Sequence, residues 1–345
     1  MITGGRARGL AIVLLAAGIL ATGALVAAPP AARASSARPL AAQALVTRAL
    51  AARTLAARMP AGRTPSAPKL APHVASRPHH VDALGGDLVD AVTGKRLWSR
   101  GLDQQRPMGS ITKVMTALLV IRAGHLRRHI KITKAIPAYI RRHPGTSSAG
   151  LRAGDVLTVR QLLDAMLLPS GCDAALALAR AYGPGRAAFV QKMNATAQKL
   201  GMRRTHFSNF DGLPLPTEHS TYSTPRNLIT LGRAAMKLRA FRRIVDQQSH
   251  HLSKNAEHHA YSWPNTNLLL GSYPGVVGIK TGHTNAAGYC LLFEASFGGR
   301  TLIGVVLHSS DTNPITRFTA ATRLLDWGFG TSVAPPRRPA GPVRD

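Results

Sequence analysis

The amino-acid sequence predicts an α+β domain in which an antiparallel sheet is flanked by helices and carries an all-helical subdomain. Strand patterns lie at both ends of residues 81–330, and a long run of helical patterns separates them. This order differs from the regular strand–helix alternation of a doubly wound sheet. We therefore expect the two ends of this region to form one sheet, with the helical segments inserted between them.

Each predicted element follows from a local pattern. Residues 87–92 and 95–99 flank Thr93-Gly94, which is typical of a β-hairpin. Residues 110–122 have helical apolar spacing, with Val114, Leu118, Leu119 and Ile121 on the buried side. Thr158 and Thr224 are good N-caps, the second followed by a proline. The remaining predictions are helices at 159–168, 173–182, 187–200, 225–238 and 312–327, and strands at 276–280, 288–297 and 301–308.

The first residues carry an export pattern. Arg6 and Arg8 precede an uncharged run at 9–28, and Ala32-Arg33-Ala34 has the small residues that a signal peptidase requires. Residues 1–34 are therefore predicted to be a signal peptide cleaved after Ala34. Because the run is long enough to cross a bilayer, a retained anchor is the alternative. Both interpretations predict an extracytoplasmic protein associated with the membrane or the cell wall.

Two segments have the amino-acid composition of disordered, solvent-exposed polypeptide. Residues 35–80 are rich in Ala, Arg and Pro and contain no Asp or Glu, which is typical of a disordered linker. The alternative is a tether attracted to anionic membrane or wall polymers. Residues 331–345 are rich in Pro and Arg and are predicted to be a disordered tail.

The net charge of +29 indicates an anionic neighbourhood, because 44 Lys and Arg face only 15 Asp and Glu. The charge is spread along the chain, and only 5% of residues are aromatic. Base-stacking platforms are therefore scarce, and no nucleic-acid-binding signature accompanies the charge. We expect no nucleic-acid partner.

A serine and a lysine, Ser110 and Lys113, stand three residues apart at a predicted helix start. Residues at this spacing share one helix face, so the two side chains can share a hydrogen bond. A serine hydroxyl needs an adjacent base to act as a nucleophile, and a lysine serves as that base only when desolvated or placed near another cation. The spacing is also common on solvated helices, so a surface pair is the alternative.

Two further polar segments follow along the chain. Ser170-Gly171-Cys172, between two helices, adds a hydroxyl that can relay a proton to a leaving group. Lys280-Thr281-Gly282, at the end of an apolar strand, supplies a second cation and a hydroxyl able to bind a carboxylate. Gly282 would let a substrate backbone lie close to the strand. The backbone N–H groups of Ser110 and His283 would bind an oxyanion.

In this order the three segments match the S-x-x-K, S-x-N and K-T-G motifs of penicillin-binding proteins and serine β-lactamases. The sequence around them sharpens the match, from Arg106 to Ala117, at Leu167-Leu168-Pro169 and from Tyr273 to Gly282. Over about residues 83–330 the chain resembles the D-alanyl-D-alanine carboxypeptidases of the low-molecular-mass penicillin-binding proteins, peptidase family S11.

The resemblance implies a DD-peptidase fold and no cofactor or metal. It implies that Ser110 attacks the penultimate D-Ala carbonyl of a peptidoglycan stem peptide, with Lys113 as general base and Ser170 as proton relay. Water then releases the acyl group, whereas attack by an amine gives transpeptidation. β-Lactams would acylate the same serine as inhibitors. The substrate-binding residues that it implies are Cys172, Lys280, Thr281, Gly282, His283 and Arg317.

Cys172 departs from the family pattern, which has asparagine there. A thiol donates and accepts hydrogen bonds only weakly, so we expect a working enzyme with an altered rate. The alternatives are a weakened penicillin- or wall-binding protein, a DD-endopeptidase, and Cys172 itself as a nucleophile without a dedicated base. Because a disulfide to Cys290 would fill the site, we expect both cysteines to remain thiols.

Two rival sites have weaker support. A class A β-lactamase needs a glutamate after the second motif, but neither Glu218 nor Glu257 lies in a sequence that resembles that loop. Fast β-lactam hydrolysis is therefore not expected. The histidine pairs at 250–251 and 258–259 flank a predicted hairpin turn, and we expect them to be solvated rather than to bind a metal.

Overall fold

A computed structural model describes residues 77–78, 80–334 and 336. The predicted signal at 1–34, most of the linker at 35–80 and most of the tail at 331–345 lie outside the described residues. Within the described part of the chain, none of the helices is both long and apolar enough to span a bilayer.

The described secondary structure comprises eleven strands and eight α-helices. The strands are β1 (Gly85–Asp90), β2 (Arg96–Arg100), β3 (Arg106–Pro107), β4 (His129–Lys131), β5 (Val156–Thr158), β6 (Tyr222–Ser223), β7 (Ser249–Leu252), β8 (Tyr261–Pro264), β9 (Val276–Thr284), β10 (Gly288–Phe297) and β11 (Arg300–Leu307). The helices are α1 (Lys113–Ala123), α2 (Ala135–Arg142), α3 (Val159–Leu167), α4 (Cys172–Tyr182), α5 (Arg186–Lys199), α6 (Pro225–Met236), α7 (Arg239–Val245) and α8 (Thr316–Phe329).

The predicted α+β class is confirmed, and the two ends of the domain form one antiparallel sheet. Its five strands run in the order β2-β1-β11-β10-β9. Strand β1 lies along β11, with Gly85 opposite Leu307 and Asp90 opposite Leu302. Three pairs of short strands, β3–β6, β4–β5 and β7–β8, lie outside this sheet.

Side chains along each central strand alternate between the two faces of the sheet, and each face packs against its own apolar layer. On β11, Leu302 and Val306 join the layer that contains α8, whereas Ile303 and Val305 join the larger layer that contains α1, α3 and α4. Successive strand residues point to opposite faces, so both faces of the sheet are covered. Burying each of these side chains contributes about 1.5–3 kcal/mol.

Helix α1 is the central helix of the larger layer. We predicted Leu119 and Ile121 on its buried side, but both are only half-buried, whereas Met115, Ala117 and Val120 are fully buried. The prediction was wrong because other helices surround α1, so it buries nearly its whole circumference rather than one stripe. Its predicted first turn is a 3₁₀ turn, Gly109–Thr112.

Both predicted N-caps are confirmed. The Thr158 hydroxyl accepts a hydrogen bond from the backbone of Gln161, and the Gln161 side chain accepts one from the Thr158 backbone in return. The Thr224 hydroxyl accepts from the backbone of Asn227 ahead of the N1 proline. Each cap contributes about 1 kcal/mol.

The first hairpin is shifted relative to its prediction. Strand β1 ends at Asp90, whose carboxylate accepts hydrogen bonds from the backbone N–H groups of Val92 and Thr93 at 3.2 and 2.8 Å. Those bonds form the turn two residues earlier than we predicted. As a result Val92, predicted to lie in a strand, is 77% exposed.

The third motif lies within a strand rather than at its end. We predicted a strand at 276–280, but β9 continues to Thr284, with Gly282 opposite Cys290 and Thr284 opposite Gly288 on β10. The second half of β9 is polar. The apolar pattern of the sequence therefore ends before the backbone pairing with β10 does. Smaller differences are the later start of α8 and the unpredicted α2, α7 and strand pairs β3–β6 and β4–β5.

A buried glutamate gives the fold a testable pH dependence. Burial raises the pKa of Glu294, on β10, to about 7 from 4.5, although Arg242 opposes the shift. A carboxyl group whose pKa is higher in the folded protein than in the unfolded chain lowers the free energy of unfolding as the pH rises from the unfolded-state pKa to the folded-state pKa. For Glu294 this interval runs from pH 4.5 to about 7. We expect Glu294→Gln to exceed the native protein in stability by up to about 3 kcal/mol at pH 8, with no such gain at pH 4.

Chemical denaturation at both pH values measures this difference. The exposed Glu218 provides the control, because Glu218→Gln is expected to leave stability unchanged at either pH. A gain for Glu294→Gln that is the same at pH 4 and pH 8 would contradict the assignment.

Candidate active site

The side chains of Ser110 and Lys113 meet in the structure as the first motif predicts. Lys113 Nζ lies 2.7 Å from Ser110 Oγ. Lys113 is fully buried and Ser110 is 7% exposed, so the alternative of a solvated surface pair is wrong. Nζ also donates to the backbone oxygen of Asp211 at 2.9 Å and contacts the sulfur of Cys172 at 3.2 Å. Burial meets the requirement that a lysine base be desolvated.

A segment that the sequence analysis missed holds Lys113 in place. The Asp211 carboxylate accepts a hydrogen bond from the Tyr139 hydroxyl at 2.8 Å and one from the backbone of Leu213 at 3.2 Å. Burial and the Asp211 charge raise the pKa of Tyr139, which keeps it a neutral donor. The Thr116 hydroxyl donates to the backbone oxygen of Phe210 at 2.6 Å. These contacts fix the Asp211 carbonyl beside the lysine.

The second motif lies at the start of α4. Ser170 has φ 68°, in the left-handed region, and the backbone N–H of Cys172 donates to the Ser147 carbonyl at 3.0 Å. Burial raises the pKa of the Cys172 thiol to about 12, although Lys113 opposes the shift. The thiol is therefore neutral at physiological pH and, like the Ser110 hydroxyl, would need a base to act as a nucleophile. Lys113 contacts both groups, with the shorter contact to Ser110, at 2.7 Å against 3.2 Å. No disulfide joins Cys172 to Cys290, and both are described and buried.

The Ser170 hydroxyl is buried and has no hydrogen-bond partner among the described residues. Buried polar groups are normally hydrogen-bonded, so an orphan hydroxyl in a native site calls for a ligand or a reacting group. The hydroxyl thus keeps unused hydrogen-bonding capacity at the position where the sequence predicts a proton relay.

Glycines let the third motif approach the first. A Cβ on Gly282 would lie 2.3 Å from the Met108 carbonyl oxygen, and one on Gly109 would lie 2.7 Å from the His283 nitrogen. We expected Gly282 to make room for a substrate backbone. The face of the strand at Gly282 is occupied by the turn that carries Ser110, so this glycine permits contact between two parts of the protein. Because β9 is an edge strand, the predicted approach of a substrate backbone to its edge stays a prediction. The same contact brings the His283 backbone beside that turn.

Lys280 lies on the face of β9 that packs against the Ser110 turn, because it is two residues from Gly282. It is buried and donates to the Thr281 hydroxyl at 3.2 Å. The hydroxyls of Thr281 and Thr266 lie 2.6 Å apart. The strand therefore places a buried lysine on the face that packs against the Ser110 turn, and next to it a pair of hydroxyls, one of which belongs to the cavity residue Thr266.

A cavity of about 1180 Å³ opens over these motifs. Of the predicted site residues, Ser110, Cys172 and His283 line it. Glu218, which we had set aside, also lines it. The other lining residues are Pro144, Gly145, Thr146, Ser147, Ser148, Ala149, Gly150, Pro169, Gly212, Leu213, Pro214, Ser262, Trp263, Pro264, Asn265, Thr266, Leu268, Thr284, Asn285 and Tyr289.

Arg317 packs against Tyr289, a residue that lines the cavity. It is fully buried in the first turn of α8, and its guanidinium carbon is 5.1 Å from the centre of the Tyr289 ring. Tyr289 in turn stacks on His283, with the ring centres 4.2 Å apart. A direct contact of Arg317 with a substrate carboxylate stays a prediction, because Tyr289 lines the cavity whereas Arg317 does not.

The histidine-rich hairpin is confirmed as β7–β8, but its turn is less solvated than we expected. His258 is only 7% exposed, and His259 Nδ1 lies 2.8 Å from the buried Asp155 carboxylate. Among the described residues, no group of three or more histidine, cysteine or acidic side chains is arranged to hold a metal ion.

The fold and this site are those of a serine acyl-transfer enzyme, with a buried lysine in contact with the serine. A model of the D-alanyl-D-alanine carboxypeptidase family, peptidase family S11, matches residues 72–311. The chain belongs to this family. It is an enzyme of that type, a serine-type D-Ala-D-Ala carboxypeptidase, which confirms the resemblance found in the three motifs.

Individual relatives agree with the family. The D-alanyl-D-alanine carboxypeptidase of Streptomyces sp. strain K15 is 41% identical over 261 residues, 72% of this chain and 88% of that protein. DacF of Bacillus subtilis is 32% identical over 251 residues, 72% of this chain and 62% of that protein. The crystal structure of the Streptomyces K15 DD-transpeptidase superposes with a TM-score of 0.69 at 38% identity, covering 74% of this chain and 100% of that one.

The contact between Lys113 and Cys172 predicts how position 172 responds to substitution. Cys172→Asn supplies an amide that hydrogen-bonds more strongly than a thiol, so we expect Ser110 acylation to keep its rate or to accelerate. Cys172→Ala removes a partner of the buried lysine, and a loss of about 1–3 kcal/mol lowers the rate roughly 5- to 100-fold.

The rate of benzylpenicillin acylation, followed by intact-protein mass, measures both variants. A slower Cys172→Asn enzyme would show that the thiol has a role that an asparagine cannot fill.

Proposed function

We propose that this chain removes the terminal D-Ala from peptidoglycan stem peptides through an acyl-enzyme on Ser110, and that β-lactams acylate the same serine. The observation that carries the proposal is the 2.7 Å contact between Ser110 Oγ and Lys113 Nζ, with the lysine fully buried. A serine becomes nucleophilic when an adjacent base takes its proton, and the direct contact between these two groups gives the proton a path.

In the proposed mechanism Lys113 accepts the hydroxyl proton while Ser110 Oγ attacks the penultimate D-Ala carbonyl carbon. The backbone N–H groups of Ser110 and His283 bind the resulting oxyanion, and the close packing of Gly109 on the His283 nitrogen supports this pairing. The orphan hydroxyl of Ser170 passes a proton to the departing amine.

The third motif binds the substrate carboxylate in this scheme. Lys280 supplies positive charge on the face of β9 toward the nucleophile, and Thr281 offers a hydroxyl. Arg317 adds a second positive charge behind Tyr289, where it acts across the ring. Buried cations attract an anionic peptide end more strongly than exposed ones, because water screens them less.

The fate of the acyl group separates two activities of one site. Water gives the carboxypeptidase product, whereas an amine gives a transpeptidation product. The second outcome is a specific candidate because the solved Streptomyces K15 relative is named a DD-transpeptidase. A DD-endopeptidase would use the same attack on a cross-linked D-Ala carbonyl.

The proposal places the enzyme outside the cytoplasm. The apolar run at 9–28 with its small-residue site at 32–34 supports export, with cleavage or retention of the signal both open. The acid-free, basic linker at 35–80 supports attraction to anionic membrane or wall polymers.

Release of free D-Ala from a pentapeptide ending in D-Ala-D-Ala tests the function directly. We expect the native enzyme to release D-Ala, and Ser110→Ala to lose both this activity and labelling by a fluorescent penicillin. Labelling without any D-Ala release by the native protein would instead support a weakened penicillin-binding protein. Release that survives in Ser110→Ala would contradict the assignment of the nucleophile.

A further inference from the structure

The carboxylate of Asp173, next to Cys172, is almost completely buried, at 1% exposed. Its four hydrogen-bond donors are all neutral. Oδ1 accepts from the backbone of Ala149 and of Ala174, each at 2.9 Å. Oδ2 accepts from the Ser148 hydroxyl at 2.7 Å and from the backbone of Leu151 at 3.1 Å. Three of the four donors belong to one loop.

That loop is a wall of the active-site cavity. Residues 144–150 line the cavity without interruption. The loop is also held from the opposite side, where Trp263 Nε1 donates to the Ala149 carbonyl at 2.9 Å. Asp173 therefore joins the wall to the helix start that carries the second motif.

The cavity wall is closely packed against the segment that carries the second motif. The Cys172 backbone N–H donates to the Ser147 carbonyl at 3.0 Å, and a Cβ on Gly171 would lie 2.8 Å from that of Ala149. A shift of the wall would move the segment 170–172 with it. Small displacements of catalytic groups cost large factors in rate, because the reacting atoms must be held close and in line.

We propose that Asp173 is a positioning residue for acyl transfer: it fixes the cavity wall at 144–150 to Ser170 and Cys172, and so sets the geometry in which the acyl donor is held. This inference rests on the proposed function, since it assigns the second motif a role at Ser110. Asp173 acts through these neighbours and does not itself line the cavity.

Asp173→Asn is the informative change, because it keeps the shape of the side chain. The amide replaces one acceptor oxygen with a donor, and each carboxylate oxygen now faces a backbone N–H. In either orientation the new NH₂ group therefore opposes a donor and releases the wall. We expect kcat for D-Ala release to fall about 100-fold, with KM changed less than about 3-fold.

Asp87→Asn is the matched control for lost stability. Asp87 is equally buried on β1, where Arg96 donates to it, and it does not line the cavity. We expect this variant to lower the melting temperature without altering kcat. If Asp173→Asn also lowers the melting temperature but keeps the native kcat, Asp173 only stabilises the fold and the proposal is overturned.

Ser148→Ala provides a second test that does not depend on the folding of Asp173→Asn. It removes one of the four hydrogen bonds, so we expect a smaller loss of kcat in the same direction. The double variant Ser148→Ala/Asp173→Asn should have the same kcat as Asp173→Asn, because both substitutions act on the contact between the cavity wall and Asp173. An unchanged kcat in Ser148→Ala, or independent additive losses, would overturn the proposal.

Failure of this inference is distinguishable from failure of the proposed function. A native enzyme that releases no D-Ala would contradict the function, whereas an active native enzyme with unaffected variants would contradict only the role of Asp173. The acylation rate of Ser110 with a fluorescent penicillin gives an independent readout, and we expect it to fall in parallel with kcat in Asp173→Asn.

Discussion

The structure of the site depends on the burial of one lysine side chain. Lys113 Nζ is in contact with the Ser110 hydroxyl, the Cys172 sulfur and the Asp211 carbonyl, each from a different part of the chain. A buried ammonium or amine is tolerated only where polar partners surround it, because burial otherwise costs several kcal/mol. The fold must therefore bring these three partners to one point, and that requirement explains the tight packing around the nucleophile.

Glycine supplies that packing at the contact between the two motif-bearing elements. Gly109 lies against the His283 backbone and Gly282 against the Met108 carbonyl, at distances that leave no room for a side chain. The sheet holds β9 in position through its pairing with β10, while α1 holds the serine turn from the helical side. The site is thus the junction of the sheet and the helical subdomain, and both must form before it exists.

The sequence predicts the class of fold and the three motifs because these depend on local patterns and on residue types at fixed spacing. Thr158 is recognisable as a cap from its own neighbours, and Ser110 and Lys113 from one helical turn. The sequence analysis missed Asp211 and Asp173, because their partners lie far away along the chain. A signal for Asp173 was present, since it directly follows the second motif, but its four donors become visible only in three dimensions.

Other differences between the predicted and observed elements have a common cause: contacts from distant parts of the chain decide which residues are buried. The pattern of α1 predicts one buried stripe, yet the helix is enclosed by neighbours and buries most of its surface. The second half of β9 is polar because it faces the site, although its backbone still pairs with β10. Gly282 also serves the packing of the protein on itself, a role that its local sequence does not reveal.

The most direct test of the account is the rate at which benzylpenicillin acylates Ser110 in a Lys113→Met variant, followed by intact-protein mass. Methionine fills a similar volume but cannot accept the proton. If Lys113 is the general base, the rate falls by about 100- to 10,000-fold, while the variant still folds. A folded Lys113→Met protein that acylates at the native rate would contradict the account.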